Sequence, residues 1–174
     1  MILRQRWGCA TAALILAACS PALDWREVRA VDGDAVAMFP CKPERLVRDV
    51  ALAGARVQMH LASCTVRDVT YALSHATVAE PARVGPALAE LRDAAAANVG
   101  GRPTVLGPFT VRGMTPNPLA EKLDIAGRGA DGEPIRLQAG FFAKGMQVYQ
   151  GTVAGAALDP AAAETFFNGL GLPP

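Results

Sequence analysis

Histidine is scarce in this chain of 174 residues, with only His60 and His75 present. Neither lies in an HExxH or HxxxH spacing, and no CxxC pair or acidic cluster supplies the other ligands that a tetrahedral zinc site needs. A general acid or base requires a poised histidine or a pair of carboxylates in a cleft, and the sequence offers neither pattern. We therefore predict no catalytic residue, metal or cofactor, and interpret both histidines as partly exposed residues of β-strands.

The chain also lacks an excess of charge of either sign. It carries 17 Lys plus Arg residues against 16 Asp plus Glu, a formal net charge of +1. This balance excludes the basic footprint that nucleic acid binding requires, so no nucleic acid partner is expected. Long apolar runs are missing as well, since the apolar stretch from about Trp7 to Cys19 is too short to span a bilayer. The remaining length fits one domain with a hydrophobic core.

Two motifs suggest chemistry but occur in the wrong context. Residues 127–132 match GxGxxG, the dinucleotide fingerprint, which requires a helix that opens at its third glycine. Here Pro134 and an alternating run begin a strand, so we predict a hairpin turn. Ser74 and His75 are neighbours in a predicted strand, where adjacent side chains point to opposite faces. That argues against a nucleophile and its base.

The N-terminal residues have the organisation of a secretory signal, with arginines before a short apolar segment that ends in small residues. Its last four residues, Leu16-Ala17-Ala18-Cys19, resemble the lipobox of bacterial lipoproteins. The resemblance implies that residues 1–18 are a signal peptide and that Cys19 becomes an acylated N-terminus held in a lipid bilayer. Because Ser20 rather than Asp follows, it also implies a periplasm-facing position on the outer membrane. An ordinary cleaved signal and an uncleaved anchor remain the alternatives.

The predicted signal peptide gives the four cysteines different roles. Cys9 leaves with the signal and Cys19 takes the lipid, so Cys41 and Cys64 remain as one pair. An even remainder in an oxidising compartment predicts a disulfide between them. A half metal site is the alternative, although two thiols alone supply too few ligands for zinc.

We divide the mature chain into a tether, residues 19–24, and a single domain, residues 25–174. Trp25, at the junction, is expected to pack on a sheet edge or to meet a partner. Alternating apolar residues predict strands, and apolar spacings of three and four predict helices. The predicted strands are 35–39, 46–52, 56–65, 68–79, 104–112, 120–127, 135–143 and 146–154. The predicted helices are 86–99, ended by Gly100, and a closing helix that follows an N-cap at Asp159.

Turn chemistry links these strands into antiparallel hairpins. Residues 32–34, Asp-Gly-Asp, predict the turn of a first hairpin rather than a calcium loop, because the further acidic ligands of such a loop are absent. Pro108 should place its strand at an edge or a bulge. Five aromatic residues are interpreted as core, with the lining of a ligand cleft between sheet and helix as the alternative, namely Phe141, Phe142, Tyr149, Phe166 and Phe167. The predicted fold class is α+β, an antiparallel β-sheet of about six to eight strands covered by two helices.

The order of elements and several landmarks resemble the PsbP-like fold. The landmarks are Phe39-Pro40, a helix after a long hairpin, the hairpin from Phe142 to Tyr149, and Phe166-Phe167 in the last helix. More narrowly, residues 39–41 together with residues 63–64 are similar to a group of small envelope proteins of proteobacteria. The cysteine pair itself departs from the general PsbP-like pattern. The resemblance implies a non-catalytic binding or interaction module with an envelope protein as partner; a small periplasmic hydrolase is the alternative.

Overall fold

The computed structural model of the chain describes residues 23–30 and 34–173. The predicted signal peptide, Cys19 and most of the predicted turn at 32–34 lie outside these residues. The strands are β1 (Arg26–Arg29), β2 (Val36–Phe39), β3 (Glu44–Leu52), β4 (Ala55–Val66), β5 (Val69–Thr77), β6 (Arg102–Pro108), β7 (Glu121–Arg128), β8 (Pro134–Lys144) and β9 (Gln147–Gly155). The helices are α1 (Val84–Val99), preceded by a 3₁₀ turn (Pro81–Arg83), and α2 (Pro160–Asn168).

Seven of the strands form one antiparallel sheet in the order β3-β4-β5-β9-β8-β7-β6. β1 and β2 pair with each other in a separate two-stranded sheet, the predicted first hairpin. The last three strands pair in chain order as an antiparallel meander, and β9 returns to pair with β5 in the middle of the sheet. This arrangement confirms the predicted α+β class, with an antiparallel sheet and two helices.

Two-residue turns join β3 to β4 and β4 to β5. Ala53 and Gly54 have φ angles of 50° and 74°, and Arg67 and Asp68 have φ angles of 51° and 60°. Turns with two left-handed residues match the twist of antiparallel strands. Because the length and conformation of such a turn are fixed, it determines which residues of the two strands lie opposite each other.

The large sheet is covered on both faces because successive side chains of a strand point to opposite sides. α1 covers one face, and Phe141 and Val148 point toward it. Their neighbours Phe142 and Tyr149 point to the other face, where they pack with α2 and the β1–β2 hairpin. We call this second side the hairpin face. All five aromatic residues that were predicted to be core are buried.

The helix termini follow the expected chemistry, with one difference. α1 begins at Val84, two residues before the predicted start, and Pro86 lies in its first turn, where a missing N–H breaks no helical hydrogen bond. Gly100 ends α1 in the left-handed conformation, with φ of 60°. Asp159 caps α2 as predicted, because its carboxylate accepts a hydrogen bond of 2.9 Å from the N–H of Ala161.

β6 shows the predicted effect of Pro108. It is an edge strand that ends at this proline, and its register with β7 shifts between Val105 and Gly107. The strand was predicted to continue to Arg112, and this extension is wrong. The chain instead leaves the sheet after Pro108 and buries Phe109 in the core of the hairpin face.

Candidate functional site

Packing of the domain begins close to the predicted lipidation site, which itself lies outside the described residues. Leu23, four residues after Cys19, packs against the core of the hairpin face. The N–H of Asp24 donates a hydrogen bond of 2.9 Å to the carbonyl of Pro40. Trp25 packs edge-on against Tyr71 of β5, with ring centroids 6.0 Å apart. The contacts of the domain therefore extend into residues 23–24 of the predicted tether.

The predicted disulfide is present. Cys41 and Cys64 are bonded, with Cα atoms 6.0 Å apart, and the pair joins the segment after β2 to β4. Cys64 is buried and lies opposite Tyr71, the residue on which Trp25 packs. The bridge thus fastens the β1–β2 hairpin to the large sheet at the end where the domain begins.

The two histidines meet on the hairpin face. His60 of β4 lies directly opposite His75 of β5, and their rings stack with centroids 4.9 Å apart and planes 11° from parallel. The His75 ring also contacts Tyr149, with centroids 5.7 Å apart. His60 is partly exposed, as predicted. His75 is only 3% exposed, so the prediction of partial exposure is wrong for this residue, because His60 and Tyr149 cover it from two sides.

Tyr149 continues the row of rings to Phe142, on which it stacks with centroids 4.9 Å apart. Its hydroxyl donates a hydrogen bond to Oε1 of Gln147. Burial raises the pKa of Tyr149 to about 12. The phenol therefore stays neutral, and remains a hydrogen-bond donor, well above neutral pH.

A groove of about 180 Å³ lies beside the histidine pair. Its lining combines both imidazole rings with apolar side chains, including Ala30, Val47, Ala62 and Leu73. Arg45 stands at the same groove, and its Nη2 donates a hydrogen bond of 3.2 Å to the carbonyl of Arg29. Apolar walls with a few polar groups are typical of binding sites, and this volume suits one side chain or a short apolar group rather than a whole cofactor.

The other motifs that were singled out in the sequence have structural roles. Ser74 lies on the face opposite to His75, and its hydroxyl donates to the carbonyl of Gln150 at 3.5 Å. Residues 127–132 run from the end of β7, at Arg128, into the turn that precedes β8, and the two strands pair antiparallel, so the predicted hairpin turn is confirmed. Within residues 23–30 and 34–173, no three His, Cys, Asp or Glu side chains are grouped so that they could hold a metal ion. No helix among these residues has the length and apolar character to cross a membrane.

Sequence reasoning placed the histidines on separate strands and missed their contact. A usable signal was present in the turn between β4 and β5. His60 lies seven residues before Arg67, and His75 lies seven residues after Asp68. A two-residue turn at Arg67 and Asp68 therefore places the two histidines opposite each other.

We expect strongly alkaline pH to destabilise the protein through Tyr149. Its folded-state pKa of about 12 lies above the value near 10 of an unfolded chain. Between these values the unfolded state has lost a proton that the folded state keeps. The contribution of Tyr149 to the free energy of unfolding therefore falls as the pH rises above about 10 and is constant below it. Urea unfolding across this range measures the slope. Tyr149→Phe should make the slope shallower and leave the part due to Tyr71, whose pKa burial also raises. An unchanged slope in that variant would contradict the assignment.

Comparison with known proteins identified no relative of this chain. No protein-family model matches the chain, and searches of curated proteins and of solved structures gave no significant match.

Proposed function

We propose that the protein is a lipoprotein of the cell envelope, anchored to the outer membrane by an acylated Cys19 with its domain facing the periplasm. The disulfide between Cys41 and Cys64 supports this proposal, because such bonds persist in oxidising compartments. The packing of Leu23, four residues after Cys19, supports it as well. A lipid on Cys19 would then hold the domain close to the bilayer, since four residues span at most about 14 Å.

The domain acts in this proposal as a non-catalytic binding module for an envelope protein. The observation that carries this role is the groove beside the stacked pair of His60 and His75. Its apolar walls can take up an apolar side chain of a partner, while the imidazoles and Arg45 supply polar contacts at its margin. The resemblance to the PsbP-like fold, which implies a scaffolding role, remains a prediction that agrees with this function.

Cys19→Ala should move the protein from the membrane fraction to the soluble fraction. Acyl chains supply the anchoring energy, and a variant without the thiol has no acceptor for them. The measurement is an immunoblot of separated cell fractions. Cys9→Ala is the matched control, because Cys9 lies inside the predicted signal and its loss should leave the protein anchored. Recovery of Cys19→Ala in the membrane fraction at the level of the unchanged protein would contradict the anchor.

A photocrosslinking residue in the groove tests the binding role in cells. Placed at Ala62, it should give a defined protein adduct, whereas the same residue at the exposed Met146 should not. Turnover of a model ester that is lost in a His75→Gln variant, without any adduct at Ala62, would instead favour the hydrolase.

A further inference from the structure

β3 forms an open edge of the large sheet. It pairs with β4 on one side, and no strand in the described part of the chain pairs with its other side. Six consecutive residues, 44–49, are exposed. They include two large apolar side chains, since Leu46 is 43% exposed and Val47 is 50% exposed. A long edge of this kind is a template for pairing with a further strand.

The β3–β4 turn determines which backbone groups of β3 point outward. Leu52 and Ala55 flank the two-residue turn, so they form a pair that exchanges both hydrogen bonds. Hydrogen-bonded pairs alternate along the strand from this point, and no bulge interrupts the register down to Glu44. Arg45, Val47 and Asp49 therefore direct their N–H and C=O groups away from β4.

The opposite edge of the sheet is protected, whereas β3 is not. β6 carries Pro103 and Pro108, which have no N–H to donate, and a bulge before Gly107. β3 has neither a proline nor a bulge between Glu44 and Leu52. The difference identifies β3 as the edge that is available for pairing.

The charges along β3 fit a second copy of the same strand. If two β3 strands pair in antiparallel fashion with Val47 opposite Val47, Arg45 of each copy lies opposite Asp49 of the other. The outward-facing groups of these residues are then the ones that form hydrogen bonds. Opposite charges in cross-strand positions stabilise a pair, and the two apolar valines meet at the symmetry axis.

The contacts of Arg45 and Asp49 within the chain do not prevent these side chains from pairing with a second copy. Arg45 donates one hydrogen bond to the carbonyl of Arg29 and keeps further N–H donors. Asp49 forms a loose ion pair with Arg56 at 3.7 Å, in which both side chains are largely exposed. Exposed pairs of this kind contribute little, so exchange of partners costs little.

We propose that two copies of the protein pair through β3, with Val47 at a two-fold axis, so that their sheets join into one continuous sheet. This inference rests on the proposed function as an interaction module and names a second copy as one of its partners. Val47 also lines the groove beside the histidines, so pairing brings the two grooves side by side. The axis is perpendicular to the sheet, and both copies therefore present Leu23 on the same side, as a shared membrane requires.

Cysteine crosslinking of the full chain in the periplasm tests the proposal. Two residues in a hydrogen-bonded antiparallel pair have Cα atoms about 5.5 Å apart. That separation is within the disulfide range of about 4.4–6.8 Å. Val47→Cys should therefore give a disulfide-linked dimer on non-reducing gels. Val105→Cys on β6, which is equally exposed at 51%, is the matched control and should remain monomeric.

Charge exchange tests the register within the Val47→Cys background. Arg45→Asp should reduce the dimer to the level of the Val105→Cys control, because it places a second carboxylate opposite Asp49 of the other copy. Adding Asp49→Arg to that variant should restore the dimer, since the charges are complementary again. Absence of the Val47→Cys dimer, failure of the double exchange to restore it, or a stronger dimer with Leu46→Cys would overturn the proposal. Membrane fractionation of the same variants tests the anchor separately.

Discussion

Replacing both Cys41 and Cys64 by alanine is expected to lower the free energy of unfolding by about 3 kcal/mol. The bond closes a loop with a sequence separation of 23. In the loop-entropy model, its loss raises the conformational entropy of the unfolded chain and so stabilises the unfolded state by about this free energy. The loss is a large part of the total stability of about 5–15 kcal/mol that a single domain has. Urea unfolding followed by far-ultraviolet circular dichroism measures it.

The wild-type protein with its disulfide reduced is the matched control for this double variant. It should unfold at the same urea concentration as the variant, because both lack the bond. If the oxidised protein, the reduced protein and the variant all unfold at one concentration, the disulfide does not stabilise the domain. Equal stability of this kind would contradict the role assigned to the bridge between the β1–β2 hairpin and β4.

Phe166→Ala is expected to lower the free energy of unfolding by about 3–5 kcal/mol, as truncation of a fully buried phenylalanine does. The ring lies at the centre of the hairpin face, where it joins α2 to β2 and β5. Its centroid is 5.6 Å from those of Phe39 and Tyr71 and 5.5 Å from that of Phe167. Removing it leaves a cavity that three separate elements line, so the site cannot collapse easily.

Phe166→Leu separates the effect of the aromatic ring from the effect of the cavity that Phe166→Ala leaves. It keeps most of the buried apolar surface and should cost clearly less than Phe166→Ala. The comparison is again made by urea unfolding. A loss below about 1 kcal/mol for Phe166→Ala would mean that α2 contributes little to the hairpin face.

Local patterns predicted most of the fold because the strands and helices depend on short-range chemistry. Alternation located the strands of the large sheet but not β1, and Gly100 and Asp159 marked helix termini through a left-handed residue and a side-chain cap. The predicted start of α1 at Pro86 is wrong by two residues, since the helix begins at Val84. Proline is tolerated throughout the first turn, so its position does not fix the N-terminus of a helix.

The parts that depend on distant pairing could not be predicted in the same way. The alternation along β5 places Val69, Tyr71, Leu73 and His75 on one face, and these four are buried. This alternation does not show which side chains of other elements pack over that face. The burial of His75 follows from its contact with Tyr149 of β9, which is 74 positions away in the chain. The first hairpin was predicted, but not its separation from the large sheet, because that separation depends on the packing of β1 and β2 over the hairpin face.

Mass spectrometry of the N-terminal peptide of the purified protein tests the proposed lipid anchor most directly. Cleavage after Ala18 and acylation of Cys19 predict a peptide that begins at Cys19 and carries the added mass of a diacylglyceryl group. The same digest should contain Cys41 and Cys64 as one disulfide-linked pair of peptides. An N-terminus at any other residue, or an unmodified thiol at Cys19, would contradict the proposed lipoprotein.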